Sequence, residues 1–482
     1  MQKLVLSRGT NITPKVKRFM EDMAGGRNPY DSFAIIDNED NVRVIGDERS
    51  WKFGAIDTYG PNIIKILPNG EKASKVYVTG VNMFILSTLG NVYVSGQNNY
   101  GQCGLPAGSG VADVTTSTRI DSGITNCIKV SQPTNYASRD PLTTMFLTAA
   151  GRLYSAGYNQ YGQVGDGTVV STGDTGPRLT LGPGNPYGNP TTTVIDVLGV
   201  GGNDTANHPT TFCALLSNGT VWCVGYGGRG QMGNGTTTAA NSLWQQVQDA
   251  ATSTALTNIV SIYGSGLNSF TALYALNASG ELFSWGYNGE GQLGIGSTVN
   301  ATRATKVTSL GTNVAAVYAF TTNDGSIIVK TKDGNFYGAG NNSGGQLGLG
   351  NTTQQNSFTL ITSLQNKNID RLYCRGDNTP MCVWAKELGT NRIYACGTNT
   401  DGNLGLYNLT TPVTTFTEVP FNVISPIIDI MPIMTDGIGS FTIILTADGN
   451  TYFTGQSRWN YVGVPNRNET IFRKNTKYIV GA

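Results

Sequence analysis

His208 is the only histidine in 482 residues, which excludes a multi-histidine metal site, an HExxH zinc helix and a two-histidine proton relay. It stands beside Pro209 in a polar stretch and reads as a loop residue. None of the seven cysteines is in a CxxC pair, and an odd count leaves at least one thiol unpaired. Cys213 and Cys223 flank one expected turn, Cys382 and Cys396 another. Strand neighbours across such a turn could meet, but buried reduced thiols packing as small hydrophobes are the expectation for them. No GxxxxGK[ST] phosphate loop occurs, and the glycine-rich loops follow strands without the helix a dinucleotide site needs. Carboxylates converging from distant segments stay open as a glycosidase pair, but no pair stands out. No catalytic, metal-binding or cofactor-binding residue is therefore assigned, no cofactor is expected, and the chain is read as non-enzymatic.

The glycines, 63 in number, show what must position any functional residue. A nine-residue signature recurs as Gly96-Gln-Asn-Asn-Tyr-Gly-Gln-Cys-Gly104, Gly157-Tyr-Asn-Gln-Tyr-Gly-Gln-Val-Gly165, Gly225-Tyr-Gly-Gly-Arg-Gly-Gln-Met-Gly233, Gly286-Tyr-Asn-Gly-Glu-Gly-Gln-Leu-Gly294, Gly340-Asn-Asn-Ser-Gly-Gly-Gln-Leu-Gly348 and Gly397-Thr-Asn-Thr-Asp-Gly-Asn-Leu-Gly405. Weaker copies run from Gly46 to Gly54 and from Gly455 to Gly463. Successive anchor glycines lie 50 to 68 residues apart. Such a period signals a repeat array in which one unit cannot bury its own surfaces.

Six residues before most anchors stands a second glycine, as at Gly90, Gly151, Gly219, Gly280, Gly334 and Gly449, between apolar β-prone runs. Asn-Gly and Asp-Gly at such places are strong hairpin signals, because the turn needs positive φ. Asp40 takes the position in the first unit, and Asp tolerates that conformation better than most residues. Each unit thus reads as strand, hairpin, glycine loop, polar stretch. The first hairpin has no strand directly ahead of it, and Lys477-Tyr-Ile-Val-Gly481 is expected to supply one, closing a ring by pairing of the N- and C-terminal segments. Residues 1–30 form an arm in which Pro14, the stripe Val16, Phe19, Met20, Met23 and the stop Gly25-Gly26 predict a short helix over about 14–24. Residues 31–482 form a single domain.

The loop signature and its spacing resemble the regulator of chromosome condensation repeat family over about residues 31–482. The resemblance implies an all-β fold, a β-propeller of four-stranded blades. Seven blades are the family norm, whereas eight hairpin repeats are counted here. The family includes guanine-nucleotide exchange factors, inhibitors, parts of ubiquitin ligases and plain interaction modules, and the matching residues are structural, so no functional residue is carried over.

The middle of each signature varies within a constant frame: Tyr100, Tyr161, Arg229, Glu290, Asp401 and Trp459 are candidate partner contacts. Charge is low, 13% of residues with a net +1, and uneven. Lys3, Arg8, Lys15, Lys17 and Arg18 precede the first acid, and Arg473, Lys474 and Lys477 lie near the end, a candidate basic patch if the termini meet. Such a patch suits an acidic protein or a nucleic-acid backbone, but without interleaved aromatics it would not read sequence. No apolar run approaches the ~18 residues of a membrane span, and no secretory signal opens the chain. The expected function is protein binding as a structural subunit of a large assembly, such as the decoration or adhesion protein of a virus particle. The alternative is a regulator resembling exchange factors, acting on a small GTPase or chromatin, and the second alternative is a glycan-binding or glycan-cleaving propeller. The expected location is a virion if the chain is viral, and otherwise the cytoplasm or nucleus.

Overall fold

The computed structural model describes residues 16–19, 33–37, 39–45, 63–65, 67–79, 82–105, 113–121, 123–133, 142–172, 176–180, 193–202, 209–267, 269–320, 325–376, 381–435, 439–456 and 468–474. These residues form eight antiparallel four-stranded sheets, each with its strands in chain order. The fourth sheet shows the pattern: Val194–Gly201, Thr210–Leu216, Val221–Tyr226 and Ala240–Gln246. First strands neighbour one another from sheet to sheet, so they are the innermost. Hairpin turns and inter-sheet linkers fall at one end of the sheets. The glycine loops fall at the other, which we call the loop face.

Between sheets the contact is apolar. One cluster joins Leu198 and Val200 of the fourth sheet to Leu273 and Trp285 of the fifth and Val317 and Ile327 of the sixth. Another joins Phe441 and Ile443 of the eighth sheet to Ile36 and Val44 of the first and Val76 and Ile85 of the second. The series of sheets thereby returns to its beginning through packing. Burial of this kind is worth roughly 25 cal/mol per Å² of apolar surface.

A backbone bond reinforces these seams at the hairpin end. The hairpin carbonyl of one sheet accepts the first N–H of the next sheet's inner strand: Asp40 O from Ala73, Gly90 O from Cys127, Gly151 O from Val194, Gly219 O from Ile259 and Gly280 O from Val314, at 2.9–3.2 Å. The turn residue must be left-handed to present its carbonyl this way, and Asp40 does so at φ 61° where the others use glycine. In the seventh sheet the hairpin is longer, and the Asn391 side chain takes over, its Oδ1 accepting the Ile427 N–H at 3.0 Å.

Three expectations change. Val16–Phe19 is a strand, not part of a helix, and pairs antiparallel with Phe33–Asp37. An amphipathic stripe this short gains more from completing the backbone bonds of an unfinished sheet than from a marginal isolated helix. That strand occupies the place assigned to the C-terminal segment, so ring closure among the described residues comes from packing, and residues 477–482 lie outside them. Cys213 and Cys223, directly opposed in their ladder, form a disulfide. Cys382 and Cys396 are offset by one residue, Cys396 facing Val383, and both stay free thiols. Burial pushes the Cys382 thiol up to about 12, so it packs as an inert hydrophobe.

The hairpin stitch predicts a contrast between two alanine substitutions. A Cβ on Gly151 would lie 2.5 Å from Thr193 Cβ, whereas one on Gly334, also at positive φ, meets nothing within 4 Å. Thermal unfolding should show Gly334→Ala losing about 1 kcal/mol and Gly151→Ala roughly 3 kcal/mol. Equal losses would rule out the close approach.

Candidate functional site

Each glycine loop is held by its own buried amides. The third-position asparagine accepts the backbone N–H of the eighth residue: Asn98 from Cys103, Asn159 from Val164, Asn288 from Leu293, Asn342 from Leu347 and Asn399 from Leu404, at 2.8–3.0 Å. Its Nδ2 donates forward to carbonyls of the polar stretch, as from Asn159 to Thr168 and Val170, and from Asn288 to Ser297 and Val299. The seventh-position glutamine accepts the N–H of the variable fifth residue, at 2.8–3.0 Å for Gln102, Gln163, Gln231, Gln292 and Gln346. The eighth residue, Cys103, Val164, Met232, Leu293, Leu347 or Leu404, is fully buried. In the third intact copy glycine replaces the asparagine, at Gly227, and Asn241 from the following strand donates to Thr238 O in its stead.

The variable fifth residues lie at the seams. Tyr100 packs edge-on against Tyr158 and Tyr161 against Tyr226, with centroids 5.4 and 5.1 Å apart. Arg229 stacks on Phe270 and Tyr287 of the next sheet, and its Nε donates to Ser269 Oγ. Glu290 accepts from Asn341 Nδ2 at 3.3 Å, and Asp401 accepts the Ser440 N–H at 2.7 Å. The fifth residue of one loop therefore meets the second residue of the next loop, or the neighbouring turn. These side chains are half-buried and tie sheets together. Burial, with Tyr161 and Tyr100 nearby, pushes the Tyr158 phenol up to about 12, so this seam stays neutral at ordinary pH. Trp459 lies outside the described residues.

The apolar residues that stand clear of the loop face come after the signature in three of the units. Val169, Val170, Val299, Tyr407 and Leu409 are exposed, on or beside the ledge whose carbonyls the buried asparagines hold. Sequence reasoning passed over them. The available signal was an apolar residue inside a Thr/Ser/Asn stretch. Asp166 anchors one ledge, accepting from Thr168 N–H and from Arg178 Nη1. Burial raises its pKa, but the bonds from Thr168 and Arg178 outweigh that and hold the carboxyl below its usual range. Its stabilisation is present above the unfolded value near ~3.9 and is lost as pH falls through the folded one.

Lys17 and Arg18 belong to the innermost strand of the first sheet, Arg473 and Lys474 to the outermost strand of the eighth. Arg473 is paired with the buried Glu469 at 2.5 Å. Lys3, Arg8, Lys15 and Lys477 lie outside the described residues. Among the described residues no group of three His, Cys, Asp or Glu is placed to hold a metal ion.

Residues 279–325 match the family model described as the regulator of chromosome condensation (RCC1) repeat. The chain is 31% identical over 134 residues to the human X-linked retinitis pigmentosa GTPase regulator, covering 28% of this chain and 12% of that protein. It is 32% identical over 132 residues to the bovine secretion-regulating guanine nucleotide exchange factor, covering 27% of each. The match therefore spans only a minor part of either relative. Among solved structures it resembles Prp20p from Saccharomyces cerevisiae, described with its binding to Gsp1p and histones, at a TM-score of 0.51 and 15% identity over 80% of this chain and 86% of that one. An identity that low speaks for the fold alone.

The ledges give a direct test. Replacing Asn288 with Ala removes the acceptor of the Leu293 N–H and the donor to two carbonyls. Denaturant unfolding should show a loss of about 2–4 kcal/mol. Glu290→Gln, which keeps an acceptor for Asn341, should stay within about 0.5 kcal/mol of the parent. The reverse ranking would mean that the seam contact, not the buried amide, holds the loop.

Proposed function

Because the chain carries an RCC1 repeat within an eight-sheet β-propeller, we propose that it is a regulator that binds a small GTPase through its loop face and acts by contact, without covalent chemistry. The observation that carries this reading is the set of exposed apolar tips, Val169, Val170, Val299, Tyr407 and Leu409, standing on ledges pinned by buried amides. A rigid frame with solvent-facing apolar groups loses little conformational entropy on binding. The names of its relatives, a GTPase regulator and an exchange factor, favour this over the virus-particle subunit suggested by composition. Both readings share a protein-binding propeller, and the relatives support that coarser statement equally.

The test is release of a fluorescent guanine nucleotide from a panel of small GTPases, together with complex formation on a sizing column. One member should release nucleotide about tenfold faster or form a stable complex. Val299→Asp combined with Leu409→Asp should abolish the effect while leaving the melting temperature unchanged. The absence of both acceleration and a complex with every member at about 10 μM would refute the proposal.

A further inference from the structure

The face opposite the loops carries an apolar run with a single structural cause. Where an inner strand begins, its first N–H turns outward to the preceding sheet's hairpin, as Cys127 does to Gly90, Val194 to Gly151 and Ile259 to Gly219. The pairing with the second strand resumes at the third residue, leaving an irregularity between, as between Val194 and Asp196 and between Ile259 and Ser261. The residue in that gap leaves the ladder, half-buried at Ser74 and Ile428 and exposed at Ile128, Ile195, Val260, Ala315 and Asp370. At these places the second, sixth and seventh sheets hold Ser74, Ala315 and Asp370, all small or polar, and the eighth holds Ile428, which packs against the cluster shared with the first and second sheets. The third, fourth and fifth hold Ile128, Ile195 and Val260, which are 43%, 51% and 50% exposed. Leu89, 65% exposed, extends the run, since it precedes the Gly90 that holds Cys127. Four aliphatic side chains on four consecutive sheets therefore face water where the backbone requires only a residue that tolerates solvent.

The surrounding charge selects the occupant. Lys75 Nζ rests on the carbonyl of Ile128 at 3.2 Å, and exposed Arg152 follows the Gly151 that holds Val194. Lys129 lies between them, paired with Asp196 at 2.5 Å. Of the acids at this end of the second and third sheets, Asp121 pairs with Arg119 and Glu71 accepts from Asn91. Lys72, Lys75, Arg119, Lys129 and Arg152 outnumber Glu71, Asp121 and Asp196. Toward the fifth sheet the linker Ala250–Asn258 has no charge. An apolar centre with few charges and a polar rim is the anatomy of a protein interface.

We infer that this face binds an acidic, aliphatic segment of a partner protein. Its aliphatic side chains cover Ile128, Ile195 and Val260, and its carboxylates meet Lys75 and Arg152. The inference rests on the reading of the chain as a protein-binding propeller, but on the opposite face from the GTPase contact, so the molecule joins two proteins.

The probe is a fluorescein-labelled synthetic peptide alternating Glu with Ile or Leu, followed by anisotropy. It should bind the full chain. Both Ile195→Ser with Val260→Ser, and Lys75→Gln with Arg152→Gln, should weaken it at least about tenfold, as should replacing Glu by Lys in the peptide. Thermal unfolding confirms that the variants stay folded. Absence of binding to the parent, or unchanged affinity in the Ser pair, overturns the inference. A parent dimer that the Ser pair converts to a monomer in sedimentation also overturns it, by making a second copy the occupant. Nucleotide release is measured on the same Ser pair. Peptide binding lost with release intact supports two separate faces. The expected peptide profile with no effect on any GTPase would remove the proposed function and leave this surface standing.

Discussion

A four-stranded antiparallel sheet has two faces, and in this chain neither can be left to water. The central strands are buried along most of their length, and Thr210–Leu216 along all of it, so each sheet needs a neighbour on both sides. A linear stack would leave two end faces wet. Returning the last sheet to the first removes both at once, and the cluster joining Phe441, Ile36 and Val76 is where that happens. The hairpin stitches, the buried amides and the seam aromatics all act within a geometry set by that demand.

The two ends of the ring meet the demand differently, which is why they differ as surfaces. At the hairpin end five joins are backbone bonds, indifferent to side chains, with the Asn391 side chain making another, and one residue of each inner strand leaves the ladder. At the loop end the join uses side chains, the fifth residue of one loop against the second of the next. Its chemistry therefore varies from an aromatic pair at Tyr100 to a stacked cation at Arg229 and a hydrogen bond at Glu290. Positions that vary in type are consequently those that hold neighbouring sheets together, and the exposed apolar groups of this face lie on the ledges beyond them.

Much of this was legible in the residues. The period, the hairpins, the positive φ at Asp40 and the apolar filler before the last glycine of each loop follow from local chemistry, since turn geometry and the need for a missing Cβ act over a few residues. The role of the asparagine was not legible. Its partners lie five residues ahead and again in the stretch beyond, and only the folded loop brings them together. The glutamine's bond, by contrast, closes over two residues and is local.

The amino-acid order alone determined that the chain is a string of like units, too polar at the turns and too apolar between them to stand singly. Only the tertiary structure decided that Val16–Phe19 joins a sheet rather than a helix, that Cys213 meets Cys223, and that Ile128, Ile195 and Val260 share one exposed arc. Each of these depends on what lies across a seam or a ladder, and distance through space is set by the closure of the whole ring, which no single stretch of residues encodes.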